Sequence, residues 1–487
     1  MQIININNSY HYETENLLRV FFPEEKFRCT ESAEEGEDYC VFETEGSKIK
    51  IKVFVSGELL SDEKVFSLDS KEEGETEESF LERKGAIMLF ELLCAYTGYR
   101  PPWGILTGVR PAKLMTKLIS SMGEERAKAY FEKELKVSRE KTELALMVAK
   151  NEAPLMAINT EKSYSLYISI PFCPSRCSYC SFISHSNESA KKLMPSYAEK
   201  LCEEIRVTGE IAKNLGLTLE SIYMGGGTPT ALTAELLKKV TDAISESFPV
   251  SAVREYTIEA GRPDSVTPEK LEIIRNCGAT RISINPQTFS DDVLKAIGRN
   301  HSGQMTVDAF ILAREKGFDN INMDLIAGLP TDTEENYEAT LNKTLSFSPE
   351  NITVHTLSLK RSSTIVTEKR GTNSGETASK MLSLTQKALL EAGYIPYYMY
   401  RQSKCLGNLE NVGWAKKGYE GLYNVYMMEE IHSVFAVGAG AVTKLKAPVG
   451  SSIERVFNYK YPYEYIGSFD EIIKRKEQIK DFYEKYF

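Results

Sequence analysis

From residue 164 onward the chain alternates short β-branched runs with amphipathic helical stretches, and that rhythm limits the fold more than any other feature. The runs fall at 166–170, 221–224, 256–260, 281–285, 320–326 and 351–357. Helical patterns lie between them at 194–215, 234–248, 267–276, 302–316 and 333–347. Six such β-α repeats predict a parallel sheet with right-handed crossovers, forming a barrel or part of one. No fixed repeat length marks a solenoid. In such barrels the active site is built at the C-terminal ends of the strands. Each motif can therefore be tested by whether it falls just after a strand.

A chain of 487 residues has room for about three domains at roughly 150 residues each. Residues 1–160 read as a separate α+β module, with a helix over 12–22, strands at 39–43 and 48–55 around a turn at Gly46, and a helix over 80–96. The Pro/Gly-rich segment RPPWGILTGVRP follows at 100–111, then two further helical stretches, with a linker expected at 151–162. Acidic stretches at 31–38 and 72–78 read as solvated loops or helix edges. The expected fold is α/β: an N-terminal α+β domain, a partial (β/α)6 barrel-like core over 161–395 and a C-terminal extension over 396–487.

No apolar run approaches the ~20 residues of a membrane helix. The N-terminus has neither a basic region nor an apolar stretch, so the expectation is a cytoplasmic protein without a membrane partner. A net charge of −10 argues against a broad nucleic-acid surface. The nine cysteines are odd in number and scattered, which does not read as a disulfide framework. Six are isolated and read as small buried hydrophobes. The other three lie within eight residues of one another.

Those three are Cys173, Cys177 and Cys180 in YISIPFCPSRCSYCSF, spaced C-x3-C-x2-C directly after the first strand of the repeat. Three thiolates from one loop can hold three irons of a cubane [4Fe–4S] cluster. Most clusters use four cysteines, so one iron stays open, and the amino and carboxylate groups of S-adenosylmethionine can chelate it. One electron from the reduced cluster can then split the sulfonium C–S bond and release a 5′-deoxyadenosyl radical. A zinc site adding His185 is the alternative, although zinc loops usually pair C-x2-C with a distant second pair. After the second strand comes YMGGGTPT (223–230), whose consecutive glycines let backbone amides approach a ligand closely, with Thr233 placed to cap the next helix.

The cysteine loop resembles that of the radical SAM superfamily. Its surroundings resemble the oxygen-independent coproporphyrinogen III oxidases, and most of all their HemZ-like branch, the coproporphyrinogen dehydrogenases, from about Tyr164 to the C-terminus. The resemblance implies a [4Fe–4S] cluster on Cys173, Cys177 and Cys180, with S-adenosylmethionine as second cofactor. It assigns the amino group of that cofactor to Gly226, Gly227 and Thr228, and the ribose hydroxyls to Glu259 in TIEAGRPDS; an ion pair of Glu259 with Arg262 or Arg281 is the alternative. Gln287 in RISINPQTF, Arg299 in IGRNH and Asp324 in NMDLIAGLP would line the same site. Arg299 would reach the methionine carboxylate or ribose, and Asp324 the adenosyl side. Tyr167 would pack on the sulfonium or substrate, a core position being the alternative, and the backbone of Tyr179 would reach the adenine.

The sequence departs from the wider family in places. EAGRP replaces an EVDP-like form and leaves Arg262 without a transferred role. Ser169 stands where a histidine is often found, and Phe182 where some members have a fourth cysteine. The segments HSVFAVGAGAVTKL and YMYRQSKCLGNLENVGWAKKGYEGLYN look HemZ-like, whereas heme-chaperone relatives carry GAHS-type and SNFA-type segments there.

The implied reaction removes a hydrogen from the β-carbon of a propionate of coproporphyrinogen III. Loss of CO2 and an electron leaves a vinyl group, first on ring A and then on ring B, giving protoporphyrinogen IX. Such an enzyme needs cations for the tetrapyrrole carboxylates; Arg262, Lys360, Arg361 and Arg401 fall near strand ends, with plain surface charge as the alternative. It also needs a reduced flavodoxin- or ferredoxin-type electron donor. The rivals are a radical enzyme acting on heme itself, a heme chaperone that keeps the cluster, and a tRNA-modifying enzyme using the N-terminal module, which the acidic balance disfavours.

Overall fold

A computed structural model describes the chain except for residues 35, 73, 108–109, 181–187, 361–362, 369–370, 402–404 and 451, and describes residues 188–190 by their backbone alone. The chain forms two units. The first takes Met1–Ala149 with Ser374–Lys380 and Tyr400–Glu410; the second takes Lys150–Asn373, Met381–Met399 and Asn411–Phe487.

In the first unit, β1 (Gln2–Ile6), β2 (Arg28–Cys29), β3 (Tyr39–Glu45), β4 (Lys48–Val55) and β5 (Glu58–Val65) pair in the order β2-β1-β3-β4-β5. The period-2 pattern KIKIKVFV buries Ile49, Ile51, Val53 and Val55. These pack with Leu17 and Leu18 of helix His11–Phe21 and with Phe80, Leu89 and Leu93 of helix Glu77–Thr97. The returning segment is fixed by Glu410, which accepts from Trp103 Nε1 at 2.6 Å and lies 2.8 Å from Lys141 Nζ. The linker expected from residue 151 starts later, because helix Arg139–Met156 runs through Pro154. In a last turn proline removes only one hydrogen bond.

In the second unit the six runs become β6 (Ser163–Ile170), β7 (Thr218–Gly226), β8 (Glu255–Glu259), β9 (Arg281–Ser283), β10 (Ile321–Ala327) and β11 (Asn351–Thr356), all parallel and adjacent in chain order. Four of the helices between them start on side-chain caps, from Thr233, Thr267, Ser302 and Thr333, as expected for Thr233. At one edge β12 (Ile395–Arg401) and β13 (Glu410–Ala415) extend the sheet past β11; at the other, β14 (Ser433–Val437) joins β6 in parallel, followed by antiparallel β15 (Val442–Lys446) and β16 (Ile453–Phe457). The strand order is linear, so the six-stranded α/β core is a partial barrel with a C-terminal extension, as expected.

Strand alternation sorts this core into two faces. Leu166, Ile168, Ile222, Met224, Ile258, Ile282 and Met323 pack in one apolar cluster with the helices. The residues between them, Tyr167, Ser169, Tyr223, Gly225, Thr257, Glu259, Arg281, Ser283 and Asp324, stand on the opposite face. The extension is tied in by the buried Glu204. It accepts from Tyr465 Oη at 2.6 Å, Gly438 N at 2.8 Å and Asn458 Nδ2 at 2.7 Å, and pairs with Lys476 at 2.8 Å. A buried carboxylate with every lone pair engaged is tolerable, and removing one partner leaves an uncompensated charge.

Candidate active site

The cysteine loop is laid against two other strand ends. Beyond β6 and β7 the ladder continues: Gly227 N donates to Ile170 O and Thr228 N to Phe172 O, each at 2.7 Å. Any side chain at 227 would intrude on this contact, since a Cβ there would sit 2.6 Å from Phe172 O and 2.7 Å from Ile170 O. Thr228 Oγ1 lies 3.4 Å from Cys173 Sγ. On its other side the loop docks on the segment after β9, where Ser178 N donates to Ile297 O at 2.9 Å and Ser175 Oγ to Gly298 O at 3.1 Å. None of the three is in a disulfide; Cys177 is buried and Cys173 and Cys180 are half-buried. Among the described residues no three Cys, His, Asp or Glu side chains form a group for one metal ion; a cubane, with one thiolate per iron, does not need them to.

Two buried guanidiniums flank Cys177. Arg262 Nη1 donates to Cys177 Sγ at 3.7 Å and to Ser175 O at 3.1 Å. Arg299 Nη1 donates to Asn285 O at 2.7 Å, while its Nε has no partner among the described residues. Burial works against the Arg299 cation, but Tyr179 and Cys177 outweigh it and hold the group charged. The phenol of Tyr179 is pushed up, chiefly by burial.

Gln287 follows β9 with φ +63°, the left-handed region that a non-glycine residue enters at a cost of order 1–3 kcal/mol. Two bonds hold it there, from its own N to Asp324 O at 2.9 Å and from Ile326 N to its O at 3.1 Å. Its side chain is buried, with Oε1 unpartnered among the described residues. Unpartnered buried polar atoms are costly and rare. Together with three thiols outside any disulfide and a glycine cradle, those of Gln287 and Arg299 fit a polar ligand beside a thiolate-held cluster.

On the polar face, Tyr223 Oη donates a hydrogen bond to Glu259 Oε1. Burial and the nearby Asp324 charge raise the Glu259 carboxyl to about 7, against the pull of the Tyr223 hydrogen bond. Asp324 takes a 2.7 Å bond from Asn322 Nδ2 and lies 3.8 Å from His355 Nε2. Burial pushes its carboxyl up, but His355, Asn322 and Arg281 together hold it below its ordinary value. The alternative ion pair for Glu259 does not form: Arg262 pairs with Asp264 at 3.1 Å and Arg281 lies 3.8 Å from Glu255. Tyr167, Tyr223 and Tyr423 stack, with centroids 6.3, 6.2 and 4.5 Å apart.

Two of the four cations proposed for a tetrapyrrole have donors engaged elsewhere. Arg262 spends its donors on Asp264, Ser175 and Cys177 and is only 3% exposed. Arg401 belongs to the first unit, where Nε and Nη2 donate to Asn408 O at 3.0 and 2.7 Å. Lys360 is half-buried after β11. Arg361, Phe182 and His185 lie outside the described residues. Tyr223, Tyr423 and His355 were missed; the register of Tyr167 opposite Tyr223 was a usable signal for the first of them.

A model of the radical SAM superfamily matches residues 167–344. The oxygen-independent coproporphyrinogen-III oxidase-like protein HemZ of Bacillus subtilis (strain 168) is 38% identical over 489 residues, covering 96% of each chain. This chain belongs to the HemZ-like radical SAM family. The heme chaperone HemW of the same organism is 33% identical to this HemZ-like chain over 314 residues, 61% of it and 77% of HemW. Escherichia coli HemN, a coproporphyrinogen III oxidase and radical SAM enzyme, shares the fold at TM-score 0.50 and 22% identity, over 67% of this chain and 72% of its own. The cofactors of the radical SAM family are a [4Fe–4S] cluster and S-adenosylmethionine, the pair that the cysteine loop led us to expect. No helix among the described residues is long and apolar enough to cross a membrane.

Proposed function

We propose that this chain converts coproporphyrinogen III to protoporphyrinogen IX by oxygen-independent oxidative decarboxylation of two propionates. The observation that carries the reading is the convergence, at the ends of parallel strands, of the three-cysteine loop, the Gly227 contact and the buried polar atoms of Gln287 and Arg299, in a chain similar to HemZ along nearly its whole length.

Cys173, Cys177 and Cys180 hold the cluster. When bound, cluster and S-adenosylmethionine together supply a one-electron abstraction of hydrogen from the substrate. Backbone carbonyls of Gly226, Gly227 and Thr228 accept from the amino group, and Arg299 holds the carboxylate as a charge-assisted pair. Glu259 accepts from the ribose hydroxyls, Gln287 Oε1 accepts beside it, and Asp324 serves the adenosyl side with the Tyr179 backbone. Tyr167 offers a ring face to the sulfonium, and its stack with Tyr223 and Tyr423 supplies a wall that keeps water away. The electron comes from a reduced flavodoxin- or ferredoxin-type donor.

Because Glu259 titrates near 7, it holds its proton below that pH and offers fewer acceptors to the ribose. Binding of S-adenosylmethionine is expected to be roughly tenfold weaker at pH 6 than at pH 8, as one pKa unit implies. Glu259→Gln should bind weakly with no such pH dependence, and Asp324→Ala should lose about 1.5–3 kcal/mol of binding. Both variants should retain iron. Wild-type affinity in both, measured by equilibrium dialysis, would remove the assigned roles.

The second reading is a heme chaperone, supported by 33% identity to HemW. Anaerobic incubation of reconstituted protein with S-adenosylmethionine, reductant and coproporphyrinogen III separates the two. Vinyl-bearing product supports the oxidase; stoichiometric heme binding without product supports the chaperone.

A further inference from the structure

We propose that Arg262 is a positioning residue for the iron–sulfur centre, holding the cysteine loop in shape and setting a fixed positive charge beside the Cys177 sulfur, which makes the centre easier to reduce. This rests on the assignment of Cys173, Cys177 and Cys180 as cluster ligands.

The guanidinium has two working edges. Nε and Nη2 donate to the Asp264 carboxylate at 3.2 and 3.1 Å, which orients the plane. Nη1 and Nη2 then reach the loop: Ser175 O at 3.1 Å, Ser175 Oγ at 2.8 Å and Cys177 Sγ at 3.7 Å. Ser175 Oγ in turn donates to Gly298 O at 3.1 Å, so one side chain links the end of β8, the loop between the first two cysteines and the segment after β9. Arg262 is 3% exposed, so water screens its charge little. Only arginine has enough donors in one fixed plane for these contacts. Hydrogen bonds and positive charge at a cluster sulfur favour the reduced, more negative state, a main lever on its potential. The EAGRP sequence, which departs from the EVDP-like form, thus has a physical use.

The test uses reconstituted full-length protein under anaerobic conditions, comparing wild type with Arg262→Gln and Arg262→Lys in iron content, loss of iron to a chelator and reduction potential. Arg262→Gln keeps a donor but loses the charge. It should shift the reduction equilibrium about tenfold toward the oxidised form, a fall of about 59 mV for one electron. Arg262→Lys keeps the charge but not the planar fork. Its potential should stay close to wild type while iron is lost to the chelator several times faster. An unchanged potential in an iron-loaded Gln variant would overturn the proposal, since a purely structural residue would alter only retention. Should Arg262→Gln hold no iron, Arg262→Lys decides: near-wild-type potential with faster iron loss supports the proposal, and wild-type retention overturns it. Failure of the underlying assignment looks different: wild type would take up no cluster, or Cys177→Ala would keep one.

Discussion

Alanine at Cys173, Cys177 or Cys180 is expected to abolish the visible iron–sulfur absorption of the reconstituted protein. Each thiolate carries one iron, and with only three available no spare ligand replaces a lost one. Four of the six remaining cysteines are poor substitutes on physical grounds. Burial pushes the Cys40 thiol up to about 12 and the Cys94 thiol to about 11, so neither supplies the thiolate that binds metal near neutral pH. Cys202 and Cys277 are likewise raised by burial. Cys40→Ala should retain full iron content. Iron content that depended on Cys29, Cys40 or Cys405 would contradict the ligand assignment.

Gly227→Ala is expected to be nearly as damaging although it removes no functional group. The new methyl would meet Phe172 O at 2.6 Å, Ile170 O at 2.7 Å and Phe172 N at 3.0 Å. All three are backbone atoms, which cannot rotate aside as a side chain can. Overpacking costs typically ~1–3 kcal/mol, and the two 2.7 Å bonds that join the GGGT segment to the cysteine loop contribute about 1 kcal/mol each. The loop must shift, so iron retention and S-adenosylmethionine binding should both fall steeply in a protein whose circular dichroism remains that of the folded chain. Gly467, where an added Cβ would meet none of the described packing neighbours within 4 Å, is the control, and Gly467→Ala should leave iron content unchanged. A Gly227→Ala protein with a full cluster would show that the contact does not position the loop.

The six core strands were legible because each carries an apolar row that must be buried, as in Leu166, Ile168 and Ile170, between turns rich in polar residues and glycine. The positions after those strands were legible for the same reason: once β6 and β7 are placed, the CPSRC segment and Gly227–Thr228 fall just past their ends, while Gly225 and Gly226 complete β7. What stayed hidden depends on distant parts of the chain. Tyr423 lies on helix Leu422–Glu429 and reaches the site only through the fold, stacking on Tyr223 at 4.5 Å. Arg262 read as a candidate for substrate carboxylates because its real partners, Ser175 and Cys177, lie 87 and 85 residues away. The flanking strands do not keep the strict alternation of the core: among the described residues β12 and β13, and again β14, β15 and β16, follow one another with no α-helix between them. Ser374–Lys380 and Tyr400–Glu410 join the first unit without a composition that marks them, and the buried contact of Glu410 with Trp103 spans 307 residues.

The central claim is that the cofactor site serves two successive decarboxylations. Its most direct test counts 5′-deoxyadenosine against porphyrinogen product in anaerobic turnover with coproporphyrinogen III. Each propionate requires one hydrogen abstraction, so the account predicts that substrate stimulates cleavage of S-adenosylmethionine and that two 5′-deoxyadenosines form per protoporphyrinogen IX. Cleavage unaffected by coproporphyrinogen, with no vinyl product and tight stoichiometric binding of heme, would contradict it.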